Sequence, residues 1–227
     1  MTTMDTDQAL AGLYPHLADA KPRDAAALDA ALLESVHQKA THSVEVKSRF
    51  FAAAGPQIVA VAHTMADRYR RGGCLFTMGN GGSSCDAAHL AVEFQHPITA
   101  GRPALAAVNL SQDMAMITAV ANDVGFQHVY TRQVLALVGP QDCLVGISTS
   151  GNSENLLAGF AAAKQRGAAT VALAGGDGGR MVTSADVDHC LVVPTDSIHR
   201  VQETHVALYH VLWDLVHTLL ADDRKPT

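Results

Sequence analysis

Aromatic residues make up only 5% of the 227-residue chain, and a single tryptophan, Trp213, is among them. Basic runs are missing: 16 Lys and Arg are scattered against 22 Asp and Glu, for a formal charge of -6. A nucleic-acid grip that works by neutralising phosphates needs the opposite balance, so nucleic acid is not expected as a partner. No apolar stretch approaches the roughly 20 residues of a membrane-spanning helix. The opening Met1-Thr2-Thr3-Met4-Asp5 lacks the basic and apolar regions of a secretory signal. The four cysteines, Cys74, Cys85, Cys143 and Cys190, are too dispersed for a disulfide framework or a zinc–thiolate site. They read as buried free thiols of a cytoplasmic protein. Internal repeats and low-complexity segments are also absent. Histidine is the residue in unusual supply, with 12 copies, and the length allows a substantial core.

Residues 1–25 hold two prolines and scattered charges, and predict a loosely attached N-terminal segment. From Ala26 to Ala54, Leu28, Leu32, Leu33, Val36, Val44, Val46, Phe50 and Phe51 fit an amphipathic helix. Gly55-Pro56 predicts a break, with a second helix from Ile58 to Tyr69 ending at Arg71-Gly72-Gly73. This antiparallel pair would form a cap or a subunit interface. After Gly73, short apolar runs at 74–78, 105–110, 143–148, 170–174 and 190–193 alternate with helical segments near 83–95, 113–121, 126–138, 153–166 and 178–184. A last helix covers 198–220, followed by a charged tail at 222–225. Runs that are apolar throughout and separated by helices predict a parallel sheet covered on both faces. The expected fold is α/β: a three-layer αβα sandwich with a five-stranded parallel sheet, preceded by N-terminal helices, as one domain over 26–221. In such sheets ligands bind at the carboxyl ends of the strands.

Two turns at that edge carry chemistry. Gly79-Asn80-Gly81-Gly82-Ser83-Ser84 follows an apolar run and opens a helix, so backbone N–H groups and the positive helix end can meet an anion. His89 and Glu93, four residues apart, project from one face of that helix. The second turn, Gly146-Ile147-Ser148-Thr149-Ser150-Gly151-Asn152-Ser153, offers four hydroxyls, with Asn152 or Ser153 suited to cap the next helix. Neither matches the Walker pattern or the dinucleotide fingerprint. Either alone could be an ordinary polar turn; two at the same edge indicate a phosphate-binding cradle. The final helix adds Gln202, Glu203, His205 and His210 beside an apolar side with Val201, Val206, Leu208, Val211, Leu212 and Trp213. Histidines on such a helix are commonly structural, although His210 sits less comfortably in a core than His205. Gln202 and His210 are about 12 Å apart along the axis. Sharing one ion would need long converging side chains or a second chain, a geometric pointer to a subunit boundary.

Gly79–Ser83, Asn122-Asp123, Gly146–Ser153 and Gln202-Glu203-Thr204-His205 together resemble the SIS (sugar isomerase) domain, and more narrowly its phosphoheptose isomerases. The resemblance covers roughly residues 35–220. It implies a five-stranded parallel sheet, helical flanks and a homotetramer with active sites at subunit interfaces. It implies one zinc ion per subunit on His89, Glu93, Gln202 and His210. Substrate contacts would be Asn80, Gly81, Gly82, Asn122, Asp123, Ser148, Thr149, Ser150, Ser153 and Gln202. The chain departs from the pattern in two places. Pro97 stands where the best-known members have an arginine one turn past the glutamate, with Arg102 nearby, and His199 stands where enterobacterial-type members have aspartate.

The implied reaction converts sedoheptulose 7-phosphate to D-glycero-D-manno-heptose 7-phosphate through an enediol, with Glu93 and His210 as the proton-transfer residues. An isomerase for another sugar phosphate stays open, as does a non-catalytic SIS protein that senses sugar phosphates or accompanies a replication initiator. Presence of both Glu93 and His210 favours catalysis over binding alone.

Overall fold

The computed structural model describes residues 25–222. The chain divides into two compact units, Met1–Thr41 and His42–Thr227. That division falls inside the first helix. The N-terminal segment up to residue 24 and the tail from residue 223 lie outside the described residues.

The helical pair expected on either side of Gly55-Pro56 is a single helix, α1 (Ala25–Arg70), with Pro56 inside it. A proline within a helix costs about 3 kcal/mol, because one backbone hydrogen bond is lost and the ring crowds the preceding turn. Ala54, Ile58, Val61, Ala62, Met65 and Ala66 are all buried across this point. At about 1.5–3 kcal/mol for each large apolar side chain, their burial outweighs the loss. The buried stripe starts at Val46, whereas Leu28, Leu32, Leu33, Val36 and Val44 of the same periodic pattern are exposed.

Five strands follow: β1 (Leu75–Gly79), β2 (Ala107–Asn109), β3 (Cys143–Ser148), β4 (Ala169–Gly175) and β5 (His189–Val193). Between and after them lie α2 (Gly82–Gln95), α3 (Met114–Asp123), α4 (Thr131–Leu137), α5 (Glu154–Gln165), α6 (Gly179–Thr183) and α7 (Ile198–Asp222). The segment expected as one helix over 126–138 is a 3-10 turn, Phe126–His128, and then α4. All strand pairs are parallel and the order is β2-β1-β3-β4-β5. The five-stranded α/β expectation holds.

Successive strand residues point to opposite faces, and both faces are covered. Leu75, Val145, Ile147, Val171 and Leu191 join one core with side chains of α1, α2 and α7. Phe76, Met78, Leu144 and Ala172 join the other with Val134, Leu156 and Phe160. This double burial explains why the strands read as unbroken apolar runs. Strand order reverses between β1 and β3, which are neighbours in register, Met78 with Gly146 and Gly79 with Ile147. The two turns thus leave the sheet side by side at its switch point, where ligands bind in this architecture.

All four cysteines are free, but they are not all buried: Cys143 is, Cys74 and Cys190 are half-buried, and Cys85 is exposed. Cys85 lies on the solvent side of α2 because Ala87, Leu90, Ala91 and Phe94 form that helix's core stripe. Among the described residues no helix is long and apolar enough to cross a membrane.

Candidate active site

The first turn is fixed from three directions. Gly81 adopts φ 54°, a left-handed conformation suited to glycine, and caps α2. Ser83 N–H donates to Asn80 O and Ser84 N–H to Gly81 O, both at 3.0 Å. The Gly79 carbonyl accepts from Tyr130 Oη and from Ser111 Oγ. Asn80 exchanges a reciprocal pair of amide hydrogen bonds with Asn155, each 2.9 Å. Asn155 is buried in the first turn of α5 and so ties the two turns together. Sequence reasoning passed over it, although it lies only two residues beyond the second motif.

In the second turn Ser148 Oγ lies 3.0 Å from Ser153 Oγ and accepts from Gly151 N–H at 3.2 Å. Ser153 occupies the N-cap position of α5, but its hydroxyl makes no cap bond; it is engaged with Ser148 instead. Ser150 Oγ accepts from Asn152 N–H at 3.3 Å. A cleft of about 250 Å³ opens beside this turn, lined by Thr149, Ser150, Gly175, Gly176, Thr195 and Asp196 among others. Asn122 and Asp123 close α3 and bond to each other at 2.8 Å. Among the described residues neither bonds to either turn.

His89 and Glu93 are joined within this chain by His210 of α7. One ligand-type atom from each lies within 4.8 Å of the other two. His89 Nε2 is 3.0 Å from Glu93 Oε1, and His210 Nε2 is 4.0 Å from the same oxygen. The two imidazoles meet edge to face at 5.1 Å. On its other side His89 Nδ1 is 2.7 Å from Tyr209 Oη. A metal-bound imidazole usually has its second nitrogen held in this way, which sets the tautomer and ring orientation. The Tyr209 hydroxyl is pushed well above the usual phenol range by burial first, then by the charges of Asp86 and Glu93. It therefore stays protonated. Asp86, one turn before His89, has a buried Oδ2 with no hydrogen-bond partner. Burial raises the Asp86 pKa, and His89 opposes the rise. Two imidazoles and one carboxylate make a donor set that fits a divalent ion such as zinc with a position left for another ligand.

Gln202, the fourth expected ligand, is placed toward the start of α2. Its amide lies against Gly82 at the start of α2, where any Cβ would collide with it. Helices α2 and α7 run side by side in the same direction, with Gly82 beside Gln202, His89 beside Tyr209 and Glu93 beside Trp213. That alignment keeps Gln202 about two helical turns from His210, as their spacing requires. His205 is fully buried and bonds through Nε2 to Ala174 O at 3.1 Å, so it is structural. Arg102 does not stand free in the place left by Pro97: it pairs with Asp214 at 2.6 Å and lies 5.3 Å over the Trp213 ring.

A hydroxyl- and glycine-lined double turn thus stands at the switch point of a five-stranded parallel sheet, with a His/Glu/His cluster two turns along α2, the architecture in which sugar isomerases are found among the chain's relatives. The family model described as the SIS domain matches residues 40–175. The phosphoheptose isomerase of Roseiflexus sp. (strain RS-1) is 41% identical over 181 residues, 80% of this chain and 91% of that protein. That of Chlorobium phaeovibrioides is 45% identical over 190 residues, 82% of this chain and 88% of that protein. The solved structure of phosphoheptose isomerase GmhA from Neisseria gonorrhoeae superposes with a TM-score of 0.76 at 36% identity, covering 82% of this chain and 99% of that one. The chain belongs to the phosphoheptose isomerase family.

Proposed function

We propose that this enzyme interconverts sedoheptulose 7-phosphate and D-glycero-D-manno-heptose 7-phosphate. The observation that carries the reading is the approach of His210 Nε2 to within 4.0 Å of Glu93 Oε1, on the helix that opens from the first turn, within a family of phosphoheptose isomerases. The phosphate would be held by the hydroxyls and amides of Ser148, Thr149, Ser150 and Ser153, and the sugar by Asn80, Gly81 and Gly82. Asn122 and Asp123 belong to the same substrate set in this reading. Gln202 serves it from beside Gly82; as a metal ligand it would have to reach from a neighbouring subunit.

Glu93 removes a proton from C1 of the ketose. The C–H electron pair becomes the C1–C2 double bond of an enediol, and the C2 carbonyl oxygen takes a proton. His210 moves the matching proton between O1 and O2, and return of the carbon-bound proton to C2 gives the aldose. No oxidant or reductant is required. Oε1 of Glu93 faces both histidines, so Oε2 is the oxygen assigned to the C–H proton. A zinc ion bound by His89, Glu93 and His210 would supply a Lewis acid for the carbonyl and hydroxyl oxygens. A homotetramer and a cytoplasmic location complete the reading. Exposed Leu32, Leu33 and Val36 offer apolar surface for subunit contact, and four free cysteines suit a reducing compartment.

The test is turnover of sedoheptulose 7-phosphate, followed by NMR, for the parent, Glu93→Gln and His210→Gln. Each variant should lose about 10²–10⁴-fold in kcat while remaining folded. Near-parental turnover in either would remove that residue from proton transfer.

A further inference from the structure

Glu93 stands in the last turn of α2, and its backbone carbonyl should accept from the N–H of residue 97 if the helix continued. Residue 97 is proline and has no N–H to give. The neighbouring carbonyls find ordinary backbone donors: His96 N–H reaches Val92 O and Leu105 N–H reaches Phe94 O, each at 2.8 Å. The Glu93 carbonyl instead accepts from the indole Nε1–H of Trp213, also at 2.8 Å. Trp213 lies three residues past His210 on α7. This one bond therefore joins the backbone of the residue that carries the carboxylate to the helix that carries its histidine partner.

The indole has two further neighbours. Arg102 covers the ring at 5.3 Å and is anchored to Asp214 at 2.6 Å. His217 packs edge-on against the ring at 4.8 Å and stacks on Phe94 of α2. A ring clamped in this way presents its N–H in one direction. Resting on the proposed function, we infer that Trp213 is a positioning residue: it substitutes for the donor that Pro97 removes and sets the distance between Glu93 and His210. Arg102 acts behind it, orienting the indole and making no contact with Glu93 itself.

The bond can be read directly, because the chain has one tryptophan and hence one indole N–H resonance. In the intact protein that proton should exchange with deuterium at least about 100-fold more slowly than free indole. Exchange at the free rate would overturn the tether whatever the variants do. Trp213→Phe keeps an aromatic ring and deletes the donor. Expected are an affinity for Zn²⁺ about tenfold weaker, by competition with a chromogenic chelator, and a kcat about tenfold lower. KM should stay within about twofold, because Trp213 bonds to Glu93 at the far end of α2 from the turn that opens it. A filler residue would lower stability without this split. A folded variant with parental kcat and Zn²⁺ affinity overturns the inference; if the variant fails to fold, indole exchange in the parent decides. Should the parent itself fail to turn over the ketose phosphate, the assigned reaction fails. The tether is then judged on indole exchange and Zn²⁺ affinity.

Discussion

Acid should destabilise this protein through His205 before it reaches most of its carboxylates. The ring is fully buried, Nε2 lies 3.1 Å from the Ala174 carbonyl, and Nδ1 is buried with no hydrogen-bond partner. A carbonyl only accepts, so the ring proton sits on Nε2 and the imidazole is neutral. Protonating Nδ1 would place a charge in the core; burial pushes the pKa down to about 4, with the carbonyl bond opposing only in part. An unfolded histidine titrates near about 6.5. Between these values the unfolded chain binds more protons, so stability is intact above about pH 6.5, falls as pH drops, and stops falling near about pH 4. The loss is at most about 1.4 kcal/mol per pH unit and about 3 kcal/mol in all. That is a large part of the roughly 5–15 kcal/mol that holds a domain together. Denaturant unfolding across this window, for the parent and His205→Gln, isolates the effect, because the glutamine amide can donate to Ala174 without titrating. The parent should show the steeper pH dependence by up to one proton; parallel curves would refute the argument. Ala174 precedes Gly175 in the cleft wall, so acid should also loosen that edge of the site.

Two substitutions separate stability from function. Gly82→Ala puts a better helix former into α2, by about 1 kcal/mol, but its Cβ meets the flexible end of Gln202. Thermal stability should be unchanged or higher while KM rises about tenfold; a lower Tm with parental KM would contradict the placement of Gln202. Tyr209→Phe keeps the ring and deletes the hydroxyl on His89 Nδ1. Zn²⁺ affinity should weaken by about 10–100-fold in chelator competition, and a change under about twofold would break the link between this hydroxyl and the metal cluster.

What could be read from the chain alone follows from the range of the interactions. Strand positions were legible because double burial writes itself as unbroken apolar runs, and 143–148 matches β3 residue for residue. The glycine turn that opens α2 and the contact of His89 with Glu93 are legible because both are local, set by one turn and one helical period. The Gly55-Pro56 break was misread because a local rule was outweighed by tertiary burial on one face of α1. Asn152 or Ser153 reads as a cap because capping is the local use of such a side chain; the competing partner of Ser153, Ser148, is met only when the loop closes. Asn155 was missed for the same reason, since its partner lies 75 residues away.

Pro97 and Trp213 show the limit most clearly. In the sequence, Pro97 reads as a missing basic residue and Trp213 as one more apolar position on the last helix. Each has its meaning in the other. A proline four residues past Glu93 leaves that carbonyl without a helical donor, and an indole from the partner helix supplies one. Arg102, the nearest arginine after Pro97 in the chain, pairs with Asp214 and lies over the face of that indole. The Pro97 departure from the family pattern is thus accompanied, within the same chain, by a different donor to the Glu93 carbonyl. It alters how Glu93 is held and leaves the pair Glu93 and His210 in place.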